Sequence, residues 1–244
     1  LSRLHEEDPS FINRYDPELK QMILAGAGEM HLEMVVERLE RRFGVSVDMV
    51  KPRLPYRETI RGTSEKQGRF KRQSGGRGQF GDAWIKIEPS LRGHGYEFVD
   101  EIVGGAVPHR FIPAVDKGIQ EAMDEGVVAG YPVVDIKATL YDGSFHSVDS
   151  SEMAFKIAAS LGFKSAVKDA RPVLLEPVYE VEVLVPEDYM GDVMGDLSAR
   201  RGRILGMDQK GGLQLVRAEV PLAELYRYST ALRSMTHGRG SHSR

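Results

Sequence analysis

Val181, Val183 and Val185 alternate with Glu180 and Glu182 in a run that stops at Pro186. That two-residue period belongs to a strand with one buried face. The residues after Pro186 constrain the fold further. A helix is expected from Glu187 and Asp188 to Arg200, Arg201 and Gly202. Its acids then sit at the positive end of the helix dipole and its bases at the negative end. Strands are expected at 203–207 and 213–220, and a helix from about 222 to 235. The order βαββα is a split-βαβ, ferredoxin-like plan without its final strand.

The opening residues repeat that plan from a different starting point. S-R-L-H-E-E-D-P reads as a helix stopped before Pro9, and short strands are expected at 11–15 and 21–25. Leu32, Val35, Val36, Leu39 and Phe43 recur at three- and four-residue spacing along a helix from 29 to 42, closed by Gly44. A strand is expected at 45–50. The result, αββαβ, is the same plan without its first strand, so both ends look cut. Leu1 in first place agrees with a piece of something longer. Pro52 and Pro55 mark a boundary, and 244 residues suit two or three small domains.

The middle region carries the strongest local anomaly. Between Lys66 and Gly81 lie five cationic side chains, five glycines and no acid, in a chain whose net charge is −3. Glycine lets backbone approach a bulky partner, and Arg and Lys donate to phosphate oxygens. The stretch reads either as a mobile basic finger that meets RNA or as a flexible hairpin whose charges are merely solvated. Around it, strands are expected at 83–87, 96–103 and 134–140, and a helix led by Pro113 ends at Gly126. Asp149 and Glu152 have capping-box spacing for a helix reaching about Phe163. His146, with Ser147 and Ser150, lies in the loop before that helix. The loop is either a polar tip touching a phosphate or an ordinary exposed turn, and Asp149 already occupies the anion position.

Several chemistries lack support. Gly76 to Gly81 matches G-x-G-x-x-G, but a polar basic run precedes it and a strand comes after it, the wrong context for a dinucleotide site. There is no P-loop motif. With no cysteine, disulfides, Cys-zinc sites and thiol catalysis are out, and the composition fits a reducing cytoplasm. His31 with Glu29, Glu33 and Glu37 lacks a zinc-protease spacing and reads as a solvated helix face. Paired acids such as Asp100 and Glu101 point to opposite sides of their element. No apolar run is long enough to span a membrane.

Three strings are specific when taken together: G-A-G-E-M-H-L-E at 26–33, Q-S-G-G-R-G-Q-F-G at 73–81 and H-S-V-D-S-S-E-M-A-F-K at 146–156. A-G-Y-P-V-V-D at 129–135, R-P-V-L-L-E-P at 171–177 and G-D-L-S-A-R-R-G at 195–202 occur in the same order. Over essentially its whole length the chain resembles the C-terminal portion of elongation factor G. The resemblance implies an α+β, multi-domain chain: a partial ferredoxin-like domain III at 1–54, domain IV at 55–173 and a partial ferredoxin-like domain V at 174–244. Domain IV would be an elongated ribosomal-protein-like fold with a left-handed βαβ crossover. It also implies a translocation factor that inserts the domain IV tip into the decoding A site. The tip would comprise Gln73, Ser74, Gly75, Gly76, Arg77, Gly78, His146, Ser147, Asp149 and Ser150, with Gln73, Arg77 and His146 foremost. The partners implied are the ribosome, its RNA and the tRNA–mRNA duplex. GTP and magnesium would belong to a GTPase domain elsewhere in the parent, with no cofactor, metal or catalytic residue in this chain. A ribosome-recycling paralogue and an autonomous RNA-binding protein are the alternatives.

Overall fold

The computed structural model describes residues 1–73 and 78–244. Its contacts divide the chain into two units, Tyr56–Leu175 on the one hand and Leu1–Pro55 with Glu176–Arg244 on the other.

The chain opens with α1 (Ser2–Glu7), stopped ahead of Pro9, and the antiparallel pair β1 (Ile12–Asp16) and β2 (Gln21–Ala25). Then α2 (Glu29–Phe43) ends at Gly44, whose φ of 65° is the left-handed C-cap that glycine adopts without strain. Leu4, Phe11, Val35 and Leu39 form the small core beneath them. The strand expected at 45–50 does not form; those residues are exposed and carry no ladder bonds. Val45, Val47, Met49 and Val50 all lie open to solvent, so no core covers the apolar face that would hold a strand there.

The second unit holds β3 (Arg57–Ile60), β4 (Ser64–Arg72), β5 (Gln79–Pro89), β6 (Tyr96–Asp100), α3 (Ile112–Glu125), β7 (Ile136–Ser144), α4 (Glu152–Asp169) and β8 (Pro172–Leu175). The sheet order is β4-β5-β7-β6, with β3 and β8 as a separate pair. In that four-stranded sheet β6 and β7 run parallel, and α3 makes the crossover between them. Most of the basic finger is therefore not a loop. Lys66, Arg69, Lys71 and Arg72 sit on β4, paired with β5 down to Arg72 opposite Gln79.

Small residues let α4 lie almost on the backbone of this hairpin. Ala154, Ala158, Gly162 and Ala166, all buried, recur every fourth position and form one narrow ridge. A Cβ added at Gly68 would come within 1.9 Å of the Ala158 carbonyl oxygen, and one at Gly81 within 2.4 Å of the Ala154 oxygen. These two glycines of the finger serve helix packing, not approach to a ligand. The helix is capped by Ser151, whose hydroxyl accepts from the Ala154 N–H at 3.2 Å. The expected Asp149–Glu152 box is thus replaced by a cap two residues later, and the helix runs six residues beyond Phe163 to Asp169.

In the C-terminal part, the elements in chain order are β9 (Val178–Val185), α5 (Met190–Ala199), β10 (Arg203–Lys210), β11 (Leu213–Pro221), α6 (Tyr228–Met235) and β12 (Ser241–Ser243). Short 3-10 turns lead into both helices, and the helix expected from 222 is interrupted before Arg227, which has φ 57°. The sheet order β10-β11-β9-β12 completes the split-βαβ plan. The final strand expected to be missing is present, short and paired with β9 from Ser241 opposite Leu184. It escaped the pattern because S-H-S has no apolar alternation.

One buried carboxylate pins the far side of the second unit. Glu58 is fully buried and accepts from the N–H groups of Ala129, Val127, Val128 and Tyr131 at 2.7–3.2 Å. Burial pushes its pKa up, and those four bonds outweigh it, leaving the carboxyl below its ordinary 4.5. A lowered folded pKa contributes stability above 4.5 that is lost as pH falls through the folded value. Glu58→Gln should therefore cost about 2 kcal/mol near neutrality, with the gap from wild type narrowing in acid. Trp84, the single tryptophan, lies in this unit and reports its unfolding in urea. By the same readout, Gly68→Ala should cost about 2–3 kcal/mol through overpacking; a loss near zero would show that α4 has room to move.

Candidate nucleic-acid interface

Antiparallel pairing places the two polar loops side by side. Because β7 pairs with β5, Ser144 at the end of β7 stands opposite Asp82 near the start of β5. The loop from 145 to 151 therefore leaves the sheet beside the β4–β5 turn. Beneath it, the buried Asp82 carboxylate accepts from Gln67 Nε2 on β4 at 2.8 Å and from Ser144 Oγ on β7 at 2.6 Å. Three strands are thus laced together at the base of the tip.

The loops themselves are joined. Gly78 N–H donates to Asp149 Oδ1 at 3.0 Å, and Phe80 N–H to the Asp149 carbonyl at 2.9 Å. Phe80 and Ser150 form an isolated parallel bridge. Within the second loop, His146 N–H donates to Ser150 Oγ at 2.9 Å, and Ser150 N–H returns to the His146 carbonyl at 3.1 Å. The Val148 and Asp149 N–H groups lie 3.3 and 3.2 Å from His146 Nδ1, with Asp149 Oδ2 at 3.5 Å from the same atom.

This geometry sorts the ten expected tip residues. Gln73, His146 and Ser147 are exposed. Ser150 is buried, its hydroxyl spent on His146, and Gly78 is buried against Asp149. Asp149 is half-buried and faces the other loop. Ser74, Gly75, Gly76 and Arg77 lie outside the described residues. The finger's remaining charges also divide: Lys66 pairs with Asp169 at 3.0 Å and the Arg69 guanidinium lies 5.7 Å from the Phe80 ring centre. Lys71 and Arg72 are exposed at the end of β4, nearest the turn.

Sequence reasoning passed over Phe145, which is 45% exposed on the second loop. An exposed aromatic next to an exposed histidine suits stacking on an unpaired base. The signal available was an aromatic inside an otherwise polar loop. Among the described residues no group of three or more His, Cys, Asp or Glu side chains could hold a metal, and no helix is long and apolar enough to cross a membrane.

Comparison with known proteins agrees with this architecture. The family description "Elongation Factor G, domain III" matches residues 1–51, "Elongation factor G, domain IV" matches 52–171, and "Elongation factor G C-terminus" matches 173–244. A crystal structure from Thermus thermophilus superposes on 99% of the chain with a TM-score of 0.86 and 49% identity. The chain spans 36% of that protein's length.

With two amide N–H groups aimed at it, His146 Nδ1 is an acceptor, so neutral His146 carries its proton on Nε2. Nitrogen NMR of the histidine-labelled chain above neutral pH should show the Nε2–H tautomer for His146. The Nδ1–H pattern would contradict the hydrogen bonding described.

Proposed function

The chain belongs to the elongation factor G family, and on that premise we propose that it is the ribosome-engaging part of a translocation factor. Its β4–β5 turn and the 145–150 loop enter the decoding A site of the small subunit and contact the tRNA–mRNA duplex. The observation that carries this reading is the fastening of the 145–150 loop to Gly78 and Phe80 at the start of β5, with Gln73, His146 and Ser147 exposed.

The chemistry is recognition, not catalysis. Lys71 and Arg72 draw phosphates to the end of the hairpin, a contribution weakened by salt. Gln73 offers both donor and acceptor to a ribose hydroxyl or base edge, and the Nε2–H of His146 donates to a phosphate or 2′-hydroxyl. Arg77 bridges phosphates. Phe145 covers an unstacked base. Such contacts read backbone and shape and leave the codon free to vary. GTP hydrolysis, with its magnesium, belongs to the GTPase domain of the full-length factor; this part converts the resulting movement into displacement of tRNA and mRNA and blocks their return.

In a full-length factor carrying these residues, Gln73→Ala and His146→Ala should each slow single-round translocation by roughly tenfold, about 1.4 kcal/mol of lost transition-state contact. Ribosome-stimulated GTP hydrolysis should stay close to wild type. Equal loss of both activities would refute a tip role for these side chains.

A further inference from the structure

A carboxylate at the end of a tip that meets polyanionic RNA is an electrostatic liability, and the structure resolves it. We propose that Asp149 is a positioning residue: its carboxylate staples the 145–150 loop to the end of the β4–β5 turn and makes no contact with RNA. This deepens the function proposed above and rests on it for its consequence, though not for its geometry.

Four observations carry the assignment. Asp149 Oδ1 accepts from Gly78 N–H at 3.0 Å, across 71 residues of sequence. The side chain lies so close that a Cβ at Gly78 would meet its carboxyl carbon at 3.0 Å and its oxygens at 3.1 and 3.2 Å. Gly78 has no left-handed φ to explain the glycine, so close approach to Asp149 is what a larger residue would disturb. Finally, helix α4 takes its cap from Ser151, which frees Asp149 from the role its spacing suggested.

The backbone of Asp149 adds to the same fastening. Its carbonyl accepts from Phe80 and its N–H faces His146 Nδ1, so one residue holds the hairpin end and orients the histidine. Bonds to an ionised acceptor are the stronger kind. An inward-turned carboxylate also adds less repulsion toward phosphate than an outward one.

The test uses Asp149→Ala and Asp149→Asn, each read in two ways. Amide exchange at Gly78 in this chain should accelerate at least ~10-fold in Asp149→Ala, while the carboxamide oxygen of Asp149→Asn retains most protection. Trp84 fluorescence should remain native in both. In the full-length factor, Asp149→Ala should slow translocation about as much as His146→Ala, Asp149→Asn should rescue most of it, and the double variant should add nothing further. Unchanged Gly78 exchange in Asp149→Ala would overturn the staple. So would a translocation loss in Asp149→Asn equal to that in Asp149→Ala with Gly78 still protected, because the charge would then be acting on a ligand. If Gly78 exchange rises but neither Asp149→Ala nor His146→Ala affects translocation, the staple stands and the proposed function fails.

Discussion

The approach of α4 to the β4–β5 hairpin at backbone distance is the constraint on which the rest of the second unit depends. Gly68, Gly81 and Gly162 remove the side chains that would hold helix and sheet apart, and the Ala154–Ala158–Ala166 ridge fills the seam. A helix seated that deeply has its N-terminus fixed relative to the start of β5. The loop that precedes it must then run beside the hairpin turn. The bonds from Gly78 and Phe80 to Asp149 are consequences of that seating, and they tie the 145–150 loop to the start of β5.

Charge is arranged in the same economical way. A net charge of −3 gives the chain no general affinity for nucleic acid. Of the finger's cations, Lys66 is neutralised by Asp169 and Arg69 leans on Phe80, while Lys71 and Arg72 stay exposed where the hairpin ends. The acid nearest the tip, Asp149, is turned inward. The exposed cations described on β4 thereby lie at its end. Placement, more than total charge, decides where a polyanion is met.

Much of this was legible in the residues, and what was not has physical causes. The alternation at Val181, Val183 and Val185 and the stripe of α2 named their elements, because each has one buried face. The hairpin did not announce β4: its residues from Ser64 to Arg72 are mostly polar, and its glycine reads as flexibility until the helix above it is seen. The run at 45–50 has the composition of a strand, yet its apolar side chains stay exposed. The tip residues were recognised through resemblance to a family, but their division of labour was not. Only the folded arrangement separates exposed His146 and Gln73 from buried Ser150, inward Asp149 and packed Gly78.

The central claim is that both loops, as one tip, reach the decoding region. Because the sequence has no cysteine, Ser147→Cys and Lys71→Cys each create a unique attachment point for an iron chelate on a full-length factor otherwise free of cysteine. Hydroxyl radicals generated from the two positions on the ribosome should cut overlapping nucleotides of small-subunit RNA around the A-site codon. Cuts confined to different regions, or none in that RNA, would contradict a single tip seated there.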